Sequence, residues 1–389
     1  MSVSTAGRTI RFGIIGAGLM GREFASAAAR WCHLATAAAK VQITSVCSRS
    51  DKSFKWFADN LPGVTQYTHD YREVLGNPAV DAVYVAVPHD LHEEIYVAAI
   101  RAGKHLMGEK PFGIDLAANT AICNAMRSHP GVFVRCVSQF PFFPAVQRIG
   151  KMLAEQQFGQ VIEARTEFLH SSDLDPKKPI NWKRHVRHCG EYGVMGDLGM
   201  HACHVPLRAG WKPLNVRAVL NKLVPQRPDS GGTLVPCDTW DNATLLIDTQ
   251  SPAGASPPYR FPWTLRTHRI APGERNSWSI EILGTRASAR FSTRDPKRLE
   301  LLTYAGGEQS WQHIQTGYET AYPAITGPIF EFGFTDAILQ MWAAFTHELV
   351  TGSVPTPFAG CATPEETSVS HRIMTSALES HRTGTCVRI

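Results

Sequence analysis

From Ile10 to Val137 the chain alternates short apolar runs with longer stretches that carry apolar residues at helical spacing. The runs Ile10–Ile15, Gln42–Cys47, Ala82–Val87, His105–Met107 and Val132–Val137 read as buried strands. Between them, Arg22–Ala39, Ser53–Asn60, Leu91–Ala102 and Leu116–Arg127 read as helices. Strands separated by helices predict crossover units and a doubly wound parallel sheet covered on both faces. Beyond residue 138 the pattern changes. One amphipathic helix, Val146–Gln156, precedes seven alternating segments: Val161–Leu169, Val216–Val224, Ala243–Asp248, Trp263–Thr267, Trp278–Leu283, Ala287–Ser292 and Leu299–Tyr304. Strands in succession predict a mostly antiparallel sheet, and helices over Asp336–Thr351 and Glu365–Arg382 close the chain. Pro225–Gly232 and Ser251–Pro258 read as surface loops. The expectation is an α/β chain of two domains, residues 1–138 with the parallel sheet and residues 139–389 with an α+β architecture.

Composition adds exclusions. A chain of 389 residues exceeds one hydrophobic core, consistent with two domains. The net charge of +5 is small and its Lys and Arg are scattered, which argues against nucleic acid and leaves room for a phosphate-bearing cofactor. Nine cysteines without a Cys-x-x-Cys pair suggest reduced thiols. No apolar stretch approaches a membrane span, and Met1–Ile10 lacks a signal-peptide core. A soluble, cytoplasmic protein is expected, with neither a membrane nor a nucleic acid as partner.

Candidate chemistry begins where the first strand breaks into Gly16-x-Gly18-x-x-Gly21. That spacing lets a pyrophosphate rest on a helix N-terminus, so Gly16, Gly18, Leu19, Met20 and Gly21 are candidate cofactor contacts. The second strand ends in Ser48-Arg49, where an Arg favours a ribose 2′-phosphate; the expectation leans to NADP over NAD. The alternative has Asp51 taking the ribose hydroxyls. The next two strand ends carry Pro88-His89-Asp90-Leu91-His92 and Glu109-Lys110-Pro111. Pro88, His89, His92, Glu109 and Lys110 are therefore candidates near the nicotinamide, with Asp90 a candidate helix cap. Lys110, restrained by Pro111, is a candidate proton relay.

In Gly196-Asp197-x-Gly199-x-His201-Ala-Cys203-His204, a helix would put Asp197 and His201 on one face, with His204 a turn further, although Pro206 threatens to kink or end it. An acid beside an imidazole suits removal of a proton from an alcohol. A metal site using Asp197, His201, Cys203 or His204 is the rival, and no metal is the expectation. Trp182 with Lys183, Arg184 and His185, and Thr239-Trp240-Asp241-Asn242, could stack on and read a carbohydrate, or simply pack.

Together these stretches, with Asp81–Pro88, Ala99–His105, Ile282–Thr285 and Pro364-Glu365-Glu366, resemble the Gfo/Idh/MocA family of glucose-fructose oxidoreductase and inositol dehydrogenase. The resemblance implies an N-terminal Rossmann domain and a C-terminal substrate-binding and oligomerisation domain with a large open sheet, and hence a homo-oligomer. It implies hydride exchange between NAD or NADP and a ring carbon of a sugar, polyol or glycoside. Lys110, Asp197 and His201 match the family's catalytic positions, and a cis Lys110–Pro111 bond is expected. Lys110, Gln139, Trp182, Asp197, His201 and His204 are candidate substrate contacts. The chain departs from many relatives at His204, at His89 and at Ser138-Gln139-Phe140-Pro141, all of which bear on the pocket. Two further readings follow from the resemblance: net glycoside hydrolysis by oxidation, elimination and re-reduction, and a non-catalytic dinucleotide-binding regulator.

Overall fold

A computed structural model describes residues 7–316, 320–326 and 330–389. The chain forms two compact units. Unit one comprises Met1–Gly113, Ala117–Phe143 and Tyr318–Pro364; unit two comprises Ile114–Leu116, Pro144–Gly317 and Glu365–Ile389.

Unit one alternates β1 (Thr9–Ile15), α1 (Leu19–Ala29), β2 (Lys40–Cys47), α2 (Asp51–Asn60), β3 (Gln66–Thr68), α3 (Tyr71–Gly76), β4 (Ala82–Val85), α4 (His92–Arg101), β5 (His105–Gly108), α5 (Leu116–Arg127) and β6 (Val134–Cys136). The six strands are parallel in the order β3-β2-β1-β4-β5-β6, a doubly wound Rossmann sheet. Their buried apolar runs, such as the fully buried Ala82–Val85, suit a sheet covered on both faces. The short β3 and α3 carry too few apolar residues to announce themselves in the sequence.

The second unit contains α6 (Pro144–Ala154), β7 (Val161–Leu169), α7 (Val186–Cys189), α8 (Val194–Arg208), β8 (Lys212–Asn221), β9 (Gln226–Pro228), β10 (Leu234–Pro236), β11 (Asn242–Gln250), β12 (Arg260–His268), β13 (Ser277–Gly284), β14 (Ala287–Ser292), β15 (Arg298–Thr303) and β16 (Gln312–Gln315). Helix α9 (Phe334–Thr351) follows in unit one; α10 (Pro364–Thr383) and β17 (Val387–Arg388) finish the chain. Nine strands form one sheet, β16-β15-β14-β13-β7-β12-β11-β8-β17, in which only β7 and β12 pair in parallel; β9 and β10 form a separate hairpin. Strand β9 lies within the expected Pro225–Gly232 loop.

The units differ from the expected division at 138: the junction falls between Phe143 and Pro144, Ile114–Leu116 belongs to unit two, and Tyr318–Pro364 packs with unit one. The cause of that last packing is aromatic. Trp342 of α9 stacks on Phe24 at 3.6 Å and meets Phe12 and Tyr84 edge-on at 5.5 and 5.0 Å. Helix α1 also ends ten residues earlier than expected. Arg30 turns out to bond Asp336 and the Thr335 carbonyl, and Trp31 donates to the Ala39 carbonyl.

Candidate active site

In unit one the candidate residues lie at the carboxyl ends of the parallel strands, where ligands of such sheets bind. Gly16 adopts φ +107°, and a Cβ there would sit 2.2 Å from the Ala86 carbonyl oxygen. At Gly21 a Cβ would meet the Gly16 oxygen at 2.4 Å, whereas at Gly18 nothing lies within 4 Å. Sterics thus exclude side chains at the first and third glycines, and the space beside the second is open. Helix α1 begins at Leu19 with Gly18 as N-cap, no side-chain cap and no acid in its first turn, leaving its amide dipole for an anion. These features fit a dinucleotide pyrophosphate.

At the end of β2, Arg49 is exposed. Asp51, the rival ribose ligand, is paired with His69 at 3.1 Å, and His69 also contacts the Ser48 carbonyl at 2.7 Å. Beyond β4, His89–Leu91 form a 3-10 turn, so Leu91 rather than Asp90 is the N-cap of α4. His92 is fully buried. Its Nε2 meets the Val87 carbonyl at 3.1 Å, its Nδ1 lies 3.4 Å from the Gly113 amide, and its ring stacks on Tyr96 at 4.8 Å. It braces the strand-end loops. His89 is buried beside it, the rings 5.4 Å apart.

Beyond β5, Glu109 is buried, accepting a 2.6 Å hydrogen bond from the Tyr84 hydroxyl while its carbonyl accepts one from Tyr96 at 2.8 Å. Burial, with Glu109 beside it, pushes the Tyr84 phenol well above its usual range, so Tyr84 remains a donor. Lys110 is half-buried, and the Lys110–Pro111 bond is cis, as expected. Phe112 follows at φ +70°, a left-handed conformation rare for a bulky residue, and its carbonyl is held by Asn119 Nδ2 at 3.0 Å. The segment carrying Lys110 is therefore tightly constrained.

In unit two the candidates sit on α8. Its N-cap, Gly193, has φ +55°, and a Cβ there would lie 2.7 Å from the Trp240 amide nitrogen. The helix passes through Pro206, which forfeits the amide that would donate to the Ala202 carbonyl, and ends two residues later at Arg208. Asp197 and His201 are both buried, one turn apart. The His201 ring meets Phe168 edge-on at 5.5 Å, and its carbonyl accepts from Trp278 Nε1 at 2.9 Å.

Asp197 lies near the end of an alternating run of charges that Lys183 closes. Lys183 Nζ donates to both its carboxylate oxygens, at 2.9 and 3.2 Å, and Arg269 forms an ion pair with it. Arg269 also faces Asp173 at 3.9 Å, Asp173 pairs with Arg184 and Lys178, and Arg184 reaches Asp241 at 2.6 Å. Neither Arg269 nor the network was foreseen from sequence: Arg269 follows β12 without any motif around it. Lys183 and Arg184, which the sequence left as either carbohydrate contacts or packing, serve the protein: the former holds Asp197, and the latter is sealed inside the network. Trp182 is half-exposed, with Lys183 Nζ 5.6 Å from its ring centroid.

The second stretch with the same two readings also serves the protein itself. Asp241 accepts from the Leu223 and Val224 amides, and Asn242 exchanges two hydrogen bonds with Ile270. Trp240 packs edge-on against His381. His204 is 1% exposed and faces Glu366 at 3.6 Å, which Arg208 grips at 2.5 and 3.0 Å. That is a packing position. Among the described residues no group of three or more His, Cys, Asp or Glu side chains is placed to hold a metal ion. Nor, among them, is any helix long and apolar enough to cross a membrane.

Residues 10–135 match the oxidoreductase family with an NAD-binding Rossmann fold, GFO_IDH_MocA, and residues 146–290 match the GFO/IDH/MocA C-terminal domain. Levoglucosan dehydrogenase of Pseudarthrobacter phenanthrenivorans is 26% identical over 339 residues, 84% of this chain and 82% of that protein. The 1,5-anhydro-D-fructose reductase of Ensifer adhaerens is 31% identical over 49% of this chain and 54% of its own length. Among solved structures, levoglucosan dehydrogenase in complex with NADH superposes with a TM-score of 0.85 at 22% identity, over 98% of this chain and 99% of that one. An oxidoreductase domain protein from Kribbella flavida gives 0.87 at 22%, with the same coverage. Both likenesses establish the fold.

Proposed function

Because this chain belongs to the Gfo/Idh/MocA family of NAD-binding oxidoreductases, we propose that it exchanges a hydride between a nicotinamide cofactor and a ring hydroxyl or ketone of a sugar, glycoside or cyclitol. Oxidation at C3 of a glycoside is the specific form preferred. The observation that carries this reading is the face of α8, where Asp197, anchored by Lys183 and Arg269, lies one turn before His201. The two cations fix Asp197 on the helix turn that precedes the imidazole, and an imidazole held on a rigid helix suits uptake of an alcohol proton.

In this reading the turn through Gly16, Gly18 and Gly21, with Leu19 and Met20, holds the pyrophosphate, and Ser48 and Arg49 take the adenosine ribose. Pro88, His89 and Glu109 border the nicotinamide, with His92 supporting their loops. When bound, the nicotinamide accepts or returns the hydride. His201 takes the hydroxyl proton in oxidation and returns it in reduction. Lys110 donates a hydrogen bond to the reacting oxygen, which stabilises the negative charge developing there. Asp197 stays ionised and does not exchange the proton. Trp182 offers an aromatic face to the sugar ring, and the exposed face of the nine-stranded sheet, with Ile162, Val219 and Leu246 outward, is the proposed contact of a homo-oligomer.

The test is to incubate the protein with NAD⁺ or NADP⁺ and a panel of sugars, glycosides, anhydrosugars and cyclitols, following reduced nicotinamide by absorbance. Expected is reduction with at least one compound. Dinucleotide binding without turnover on any compound sinks the enzymatic reading, and glycoside cleavage without net cofactor reduction replaces it with the elimination route.

A further inference from the structure

Ser138 and Gln139 lie two and three residues beyond the end of β6, at the carboxyl edge of the parallel sheet. β5 and β6 pair in parallel up to Gly108 and Cys136, and Lys110 and Ser138 each lie two residues beyond those paired ends. Ser138 is fully buried and Gln139 is 4% exposed. Among the described residues, Ser138 Oγ and Gln139 Oε1 have no hydrogen-bond partner. A buried polar atom left unpaired loses its hydration without recompense, so two adjacent ones call for an external partner.

Their chemistry narrows that partner. Gln139 Oε1 can only accept, and the Ser138 hydroxyl is free to donate. A primary amide answers both: its NH₂ donates to Gln139 and its carbonyl accepts from Ser138. A phosphate has only acceptors and would set its charge against the Gln139 carbonyl. Position agrees. Read across the sheet order, the strand ends present Ser48-Arg49 after β2, the glycine turn after β1, His89 after β4, Glu109-Lys110 after β5 and Ser138-Gln139 after β6. That sequence runs from the adenosine end, through the phosphates, toward the nicotinamide end of a dinucleotide.

We propose that Ser138 and Gln139 read the carboxamide of the nicotinamide ring. The proposal rests on the nicotinamide reading above, and it moves Gln139 from the substrate, where the sequence had suggested it, to the cofactor. The two residues set the ring's rotation, and thus which face offers its hydride position.

The experiment measures dissociation constants of the full-length protein by calorimetry, using the reduced dinucleotide it prefers, the matching ADP-ribose, and the 3-acetylpyridine analogue, in which a methyl ketone replaces the amide. Ser138→Ala and Gln139→Leu are compared with the unaltered chain. Expected is a loss of about tenfold for the dinucleotide in each variant, with ADP-ribose affinity within twofold. The unaltered chain should also prefer the amide to the methyl ketone, and Gln139→Leu should erase that preference. Retained ADP-ribose binding reports that the variants fold. Unchanged dinucleotide affinity, an equal loss for ADP-ribose, or an effect confined to the sugar KM each overturns the proposal. Failure of the unaltered protein to bind either dinucleotide or ADP-ribose instead overturns the nicotinamide reading itself.

Discussion

Lys183 Nζ donates to both carboxylate oxygens of Asp197 from fourteen residues upstream, closing the outer end of a charge chain whose inner partner is Arg269. The two cations are not equivalent. The Lys183 side chain is 32% exposed, whereas Arg269 is nearly buried. Water can replace part of what Lys183 supplies but little of what Arg269 supplies.

Arg269→Met should therefore destabilise the second unit by about 3–5 kcal/mol, since it strands a buried carboxylate. Lys183→Met should cost about 1 kcal/mol. Urea unfolding followed by Trp fluorescence separates them. Equal costs would mean that Asp197 is better solvated than its burial implies.

His201→Ala should lower kcat by about a hundredfold or more with a smaller change in KM, because the imidazole acts on the proton in flight. Lys110→Ala should reduce kcat/KM at least as much, through loss of charge stabilisation at the reacting oxygen. Steady-state kinetics with reduced dinucleotide binding measured in parallel decides the matter. A variant with normal turnover removes its residue from the mechanism.

The glycine turn and the Lys110 and Asp197–His201 motifs were legible because each is a local pattern whose spacing carries its own geometry. The strands Val161–Leu169 and Ala287–Ser292 were legible to the residue, although their burial alternates only in part. What escaped was non-local. Arg269 meets Asp197 across 72 residues of chain, and α9 joins unit one through Trp342, whose stacking on Phe24 no window of sequence contains. Asp241 and Asn242 looked like sugar ligands because their side-chain chemistry is the same whether they bind a hydroxyl or a backbone amide. Ser138 drew notice only as a departure from relatives, since burial without a partner is visible only in three dimensions.

The proposed preference for NADP rests on Arg49. With Asp51 engaged by His69, the exposed guanidinium is the charge best placed for a ribose 2′-phosphate. Arg49→Ala should weaken NADPH binding by about ten- to a hundredfold and leave NADH within twofold. Calorimetric titration of both coenzymes checks it. An equal loss for both, or tighter NADH than NADPH in the unaltered chain, would reverse the preference for NADP.

Acid stability should report on His204. Burial, opposed by Glu366 and aided by Arg208, pushes its imidazole from 6.5 down to about 4. A histidine lowered on folding binds fewer protons in the native state than in the unfolded one. Its contribution is therefore fully present above pH 6.5, is lost as pH falls toward 4, and changes no further below that. About 2 kcal/mol of stability should disappear by pH 5 through this residue, approaching about 3 kcal/mol near pH 4. His268, also brought to about 4 by burial and Arg266, adds a loss of the same sign, which its partial exposure reduces. Carboxylates protonate over an overlapping range, so the slope of the unaltered chain alone does not isolate His204. His204→Gln removes the titration while keeping a polar group of similar reach toward Glu366. Its unfolding free energy, measured by urea at half-unit steps from pH 7 to 4, should fall less steeply than that of the unaltered chain, whatever its starting value. Parallel curves would show that His204 takes up a proton in the folded state as readily as in the unfolded one.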